Sequence, residues 1–289
     1  MKKSYIEVTG GKIWYKIIGE EKNKTPLLVL HGGPGIPHDY LEGLEALADE
    51  RPVVFYDQLG CGNSGRSKDK NLWTVERYVE ELDQVKRFLK LGKLHVMGQS
   101  WGTMLAVEYM LTKKTTDIES LILSGPALSI SRWVKDQRAY LNDLPEATQR
   151  NIEECEKNGD FKSEKYQNAI QEYYHKHVCR MDPWPDCLKR SIEKMSSDIY
   201  EYMCGPSEFT ISGTLKNFER VDKLVNIKTP VLYTCGRYDE ATPESTSYYK
   251  DLTPGAKMVI FEDASHEHHL EKKEEFISTA REFLRESEK

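Results

Sequence analysis

No apolar run in this sequence approaches the roughly 20 residues that a helix needs to cross a bilayer, so no transmembrane span is expected. The first residues, Met1-Lys2-Lys3-Ser4-Tyr5-Ile6-Glu7, turn acidic before any apolar core appears, and no secretory signal peptide is expected either. Positive charge is not in excess. The 41 Lys and Arg residues face 47 Asp and Glu, leaving a net charge of -6 and a pI near 5.8. That balance argues against nucleic acid or an anionic membrane as the main partner. The six cysteines (Cys61, Cys155, Cys179, Cys187, Cys204, Cys235) lack the paired spacing of a zinc site, so no metal is expected. Free thiols in a reduced, cytoplasmic protein are the simpler reading, with a Cys179–Cys187 pairing left open. Repeats and low-complexity tracts are missing. Gly60, Gly62 and Gly65 have a nucleotide-like spacing, but no helical pattern begins there and no acidic ribose ligand ends a following strand, so no cofactor is expected.

What is present is an alternation of short apolar strands and amphipathic helical stretches. Residues 4–19 alternate about Gly10-Gly11 as an antiparallel hairpin. Leu27–Leu30, Pro52–Tyr56, Leu94–Met97 and Leu121–Ser124 read as strands, the first a continuous apolar run of the kind buried on both faces. Val75, Tyr78, Val79, Leu82, Val85 and Leu89 keep a helical period that Gly92 would close. Asp39 with Glu42 predicts an acidic capping box opening a helix through Leu41, Leu44 and Leu47. From about Ser129 to Arg220 strands disappear, and a charged, tyrosine-rich, helical block takes over. Strands resume at Val231–Cys235 and Lys257–Phe261, before a helix through Phe276, Ala280, Phe283 and Leu284. The expected organisation is an α/β core in two parts, residues 1–128 and 221–289, with a helical cap at 129–220 over the active-site end of the sheet.

The stretch Gly98-Gln99-Ser100-Trp101-Gly102 lies between a strand and a helix. In that context G-x-S-x-G is a nucleophile elbow: the serine sits on a strained turn, small neighbours avoid collision, and the N–H groups opening the helix face developing negative charge. Ser100 is the candidate nucleophile. It needs a base and an orienting carboxylate, which in such a fold follow in the order acid, then histidine, on loops after strands. Strand 231–235 ends in Gly236-Arg237-Tyr238-Asp239-Glu240, and strand 257–261 ends in Glu262-Asp263-Ala264-Ser265-His266. Asp239 and His266 are the candidates. Rival histidines are His268 and His269, read as solvated or capping residues near the last helix. The rival acids are Asp263, in the histidine's own loop, and Asp57, which precedes the serine. The glycine-dense loop His31-Gly32-Gly33-Pro34-Gly35, after a buried strand, reads as an oxyanion-hole loop.

These motifs together, with Tyr56-Asp57-Gln58-Leu59-Gly60-Cys61-Gly62 and Pro243, resemble the proline iminopeptidases over nearly the whole chain. They are serine aminopeptidases of the α/β-hydrolase fold, with a mostly parallel sheet flanked by helices and an inserted helical cap. The resemblance implies release of an N-terminal residue, preferably proline, from short peptides or aminoacyl amides with a free N-terminus, through an acyl-enzyme. It implies backbone oxyanion donors at Gly33 and Trp101, and it implies that Glu208 and Glu240 hold the substrate's α-amine, a group with an ordinary pKa of about 7.7–8. Trp133, Tyr173, Tyr174 and Trp184 are cap aromatics that could line a proline-sized pocket. Thr103 stands where the resembling proteins often have glycine or serine. Amino-acid amidases and Pro-X dipeptidases share this framework, and a general carboxylesterase or a non-catalytic binding protein of the same fold are more distant alternatives.

Overall fold

A computed structural model describes residues 1–288. Its eight strands are β1 (Lys2–Val8), β2 (Gly11–Ile18), β3 (Leu27–Leu30), β4 (Val53–Tyr56), β5 (Leu94–Gln99), β6 (Ile118–Ser124), β7 (Val231–Gly236) and β8 (Lys257–Phe261). They form one sheet in the order β1-β2-β4-β3-β5-β6-β7-β8. β2 runs antiparallel to β1 and β4, and every pairing from β4 to β8 is parallel. The central strands β3, β4 and β5 are buried at every position, because helices cover both faces. Side chains alternate between those faces. Leu28 and Leu30 join a core with α1 (Val75–Phe88) and α2 (Trp101–Thr112), while Leu27 and Val29 join one with Leu41, Leu44 and Leu47 and the C-terminal helix (Lys273–Ser287).

Two local readings of the sequence need correction. The segment His38–Asp49 is a 3-10 helix with Pro37 at its N-cap and no side-chain cap. Asp39 is instead buried in an ion pair with Lys194, 2.6 Å away, with Arg190 at 3.6 Å. A partner 155 residues distant outcompetes the local cap, because a buried carboxylate needs a counter-charge more than a helix needs one extra acceptor. Helix α1 ends at Phe88, not at Gly92: Leu89 is the C-cap and Lys90 takes the left-handed conformation, φ 53°.

Between β6 and β7 lie five α-helices: α3 (Ile130–Leu141), α4 (Glu146–Asn158), α5 (Glu164–His177), α6 (Asp186–Glu193) and α7 (Ser197–Met203). Part of this segment has its own core, with Ile152, Tyr166, Ile170 and Phe209. It is fastened to the 3-10 segment by Lys194–Asp39, by Arg190–Glu42 at 2.6 Å, and by Tyr40 N–H donating to Ser191 Oγ at 2.8 Å. Since β3, β5, β7 and β8 are parallel, the loops after them emerge at one edge of the sheet. That edge carries Gly33, Ser100, Asp239 and His266.

Candidate active site

Among the described residues, Ser100 is one of three non-glycine residues with positive φ, at φ 53° and ψ -120°. Such a conformation costs of order 1–3 kcal/mol and persists only where the surroundings enforce it. Here Ser100 N–H donates to Ser124 O at 2.9 Å, and Thr103 donates to Ser100 O from both its N–H (2.8 Å) and its hydroxyl (2.6 Å). A Cβ on Gly98 would collide with the Gly102 carbonyl, and one on Gly102 with the Leu30 carbonyl. Nothing larger than glycine fits either place, which is the physical content of the motif. Helix α2 begins at Trp101, so its unpaired N–H groups lie beside the serine.

His266 and Asp239 meet at the same edge. Nδ1 of His266 lies 2.7 Å from Asp239 Oδ1. The carboxylate also accepts from Ala241 N at 2.7 Å and Gly236 N at 3.2 Å, so its orientation is fixed. Burial would raise Asp239, but His266 and His268 beside it prevail and hold it down to about 2. Burial would lower His266, but Asp239, Glu240 and Glu267 outweigh it and hold the imidazole up to about 10. Gly125 backs the ring: a Cβ there would lie 2.6 Å from His266 Cε1. Ser100 and His266 line one cavity of about 390 Å³.

The rivals fall away on geometry. His268 is fully buried, its Nε2 between Ser124 Oγ (2.9 Å) and Thr234 Oγ1 (3.0 Å). His269 Nε2 donates to Tyr40 O at 3.2 Å, and burial holds its ring down near 3, hence neutral. Neither is the solvated histidine that its place near a helix start suggests; both are core struts. The Asp263 side chain is 80% exposed. Asp57 is buried against His38.

The loop after β3 approaches the elbow from the other side. Gly33 has φ 108°, and a Cβ there would lie 2.6 Å from Gly35 N. Gly33 and Trp101 line, with Ser100, a compact apolar recess of about 20 Å³ next to the main cavity. Side chains lock the two loops together. Trp101 Nε1 donates to Gln58 Oε1 (2.8 Å), Gln58 Nε2 donates to His31 O (3.1 Å), and Gln58 N–H donates to His31 Nε2 (2.9 Å). Burial holds His31 down to about 4, as an accepting nitrogen requires. Tyr40 OH accepts from Gly32 N–H (2.7 Å) and donates to Gln99 Oε1 (2.6 Å).

Both glutamates singled out by the sequence line the main cavity. Glu208 accepts from Tyr200 OH, while Trp133 Nε1 donates to the Glu208 carbonyl at 2.8 Å. Glu240 has its carbonyl held by Gln137 Nε2 (2.8 Å), its Oε1 3.6 Å from His266 Nε2, and a solvent-shielded Oε2 with no hydrogen-bond partner. Burial raises both carboxyls, and for Glu240 the nearby Glu208 adds to it. Of the aromatics, Tyr174 and Trp184 line the main cavity and Trp133 the recess, whereas the Tyr173 hydroxyl is spent on Gln137. Tyr200 and Glu267 are among the cavity residues that the sequence did not single out. Tyr200 is eight residues from the glutamate it serves. Glu267 directly follows His266, in a loop where histidines drew all the notice. The six cysteines are free, Cys179 and Cys187 included.

A strained serine at a strand-to-helix turn, sharing a cavity at one sheet edge with a histidine–aspartate pair, defines a serine hydrolase of the α/β-hydrolase fold. A family profile described as the alpha/beta hydrolase fold matches residues 25–273. The chain is similar to a proline iminopeptidase of Heyndrickxia coagulans, with 45% identity over 281 residues covering 97% of each. It is 38% identical to one of Lactobacillus helveticus, over 95% of each. A crystal structure of the Mycobacterium smegmatis proline iminopeptidase superposes with a TM-score of 0.92 at 34% identity, over 99% of this chain and 98% of that one. The structure of VinJ superposes at 0.94 with 32% identity, over the same shares. The chain belongs to the proline iminopeptidase family.

Proposed function

We propose that the protein is an aminopeptidase that releases an N-terminal residue, preferably proline, from short peptides or aminoacyl amides, and that Ser100, His266 and Asp239 carry the chemistry. Ser100 Oγ attacks the carbonyl carbon of the first residue while His266 Nε2 takes the hydroxyl proton. Asp239 holds Nδ1 and stabilises the imidazolium. The negative oxygen of the tetrahedral species sits on the N–H groups of Gly33 and Trp101, where loss of one donor in such sites costs about 10²–10³ in kcat. His266 then protonates the leaving nitrogen, the C–N bond breaks, and a prolyl ester remains on Ser100. Water attacks that ester, with His266 as base, and frees the amino acid.

The observation that carries the reading is the pair of buried carboxylates, Glu208 and Glu240, one of them with an oxygen lacking any partner, beside a serine and a histidine. An esterase has no use for such a pair, which costs desolvation and self-repulsion unless a cation arrives. A substrate ammonium is that cation. The free thiols support a reducing, cytoplasmic setting, and no helix of the described residues is long and apolar enough to cross a membrane.

The test is a panel of arylamides of proline, alanine, leucine and phenylalanine, with acetylproline arylamide as control. Proline is expected to give the highest kcat/KM and the acetylated control less than about a tenth of it. Equal cleavage of prolyl and acetylprolyl arylamides would sink the proposal.

A further inference from the structure

The main cavity carries more acid than an amine clamp requires. Four glutamates line it (Glu201, Glu208, Glu240 and Glu267), and among the described residues no lysine or arginine does. Glu201 is half-exposed at 52% and has Lys162 at 3.5 Å. Glu267 is different. It is 5% exposed, and its Oε2 is shielded from water without a hydrogen-bond partner. His269 Nε2 lies 3.5 Å from that oxygen, but His269 is a neutral ring whose Nε2–H is given to Tyr40 O. Leaving one oxygen of a buried carboxyl without a hydrogen-bond partner costs of order 1–3 kcal/mol, so its place in a substrate cavity calls for a reason.

Position supplies one. The recess that shares Ser100 and Gly33 with the main cavity contains Glu208 but neither Glu240 nor Glu267. The Glu267 and Glu240 backbones lie side by side, with N–H groups on Val178 O (2.9 Å) and His177 O (3.3 Å), but their side chains part: Glu208 and Glu240 both act on Tyr173 and Tyr174, whereas Glu267 acts on Tyr40. If the first residue and its amine lie toward Glu208 and Glu240, the part of the substrate beyond the scissile bond must run along the Tyr40–Val178 wall, past Glu267. We propose that Glu267 is a specificity-determining residue for the leaving segment, taking the cationic side chain of a lysine or arginine that follows the N-terminal residue and disfavouring an acidic one. This rests on the reading of Glu208 and Glu240 as the amine clamp. Burial pushes the Glu267 carboxyl up to about 8, against the pull of His266, so much of it is neutral near pH 7 unless a cation lies beside it. A charge-assisted pair formed there would be sheltered from solvent and correspondingly strong.

The experiment measures proline release from Pro-Lys-amide, Pro-Arg-amide, Pro-Gln-amide and Pro-Glu-amide, all with neutral C-termini, by wild-type enzyme and by Glu267→Gln and Glu208→Gln. Wild type is expected to prefer lysine and arginine to glutamine by about tenfold in kcat/KM, with glutamate lowest. Glu267→Gln should bring the Lys/Gln ratio to within about twofold of unity, and Glu208→Gln should keep the wild-type ratio while losing free-amine selectivity. A wild-type Lys/Gln ratio near one, or a ratio that survives Glu267→Gln, overturns the proposal; the first outcome needs no variant to fold. Loss of the clamp effect in Glu208→Gln would instead strike the parent reading, so the two failures are distinguishable.

Discussion

Two buried histidine–aspartate pairs in this chain have the same 2.7 Å contact between Nδ1 and Oδ1, His38 with Asp57 and His266 with Asp239. The first is walled in. His38 stacks on Trp14 with centroids 4.5 Å apart and tilts against Phe55. Asp57 also accepts from His38 N–H (3.1 Å), Asn63 N–H (2.9 Å) and Asn63 Nδ2 (2.8 Å). A Cβ on Gly62 would run into Asp57 Oδ2, which explains a glycine in the nucleotide-like spacing without any nucleotide. The second pair opens on the cavity that holds Ser100, with Glu240 Oε1 3.6 Å from Nε2. An aspartate orients a histidine equally well in both places. What makes a base is the far nitrogen facing a space where a nucleophile and a substrate can meet.

Removing each aspartate separates the two roles most sharply. Asp239→Asn, like Ser100→Ala, should lower turnover about 10⁴-fold or more. Asp57→Asn should instead lower stability by about 3–5 kcal/mol, the usual cost of breaking a buried pair, while kcat per folded molecule stays within a few-fold. Thermal unfolding and active-site titration measure both, and loss of turnover at intact stability in Asp57→Asn would break the distinction. Acid should narrow the stability gap. Burial would raise Asp57, but its hydrogen bond from His38 and the charge beside it hold it down to about 2. A carboxyl depressed on folding stabilises fully above its unfolded value near 3.9 and ceases to as pH falls through 2. The wild-type advantage over Asp57→Asn should therefore shrink between pH 4 and 2.

A smaller effect concerns the charge around His266. The imidazole is held up to about 10 by its carboxylate neighbours against burial. A base must be neutral to accept a proton, so the cleavage rate of a blocked ester should climb with pH toward that value. Glu240→Gln removes one of the raising charges and should move this limb to lower pH. An unmoved limb would mean that Glu240 does not act on His266.

Much of the core was legible because its signals are local. Continuous apolar runs marked β3 to β5, and the elbow glycines at 98 and 102 follow from steric contacts within a few residues. Asp239 and His266 could be picked because each follows a strand. Long-range solutions left no such trace. Asp39 looked like a cap until Lys194 claimed it, and His268 and His269 looked peripheral though both are buried. Glu267 became visible only when the cavity showed which side chains share it.

The clamp is the claim on which the functional reading turns. The most direct measurement is the ratio of kcat/KM for prolyl arylamide to that for a blocked acyl ester, in wild type, Glu208→Gln and Glu240→Gln. Hydrogen bonds to a charged group are worth about 1.5–3 kcal/mol, so the ratio is expected to fall about 10- to 100-fold in each variant, with the ester rate far less affected. Equal losses on both substrates would show that these glutamates shape the site without holding an amine.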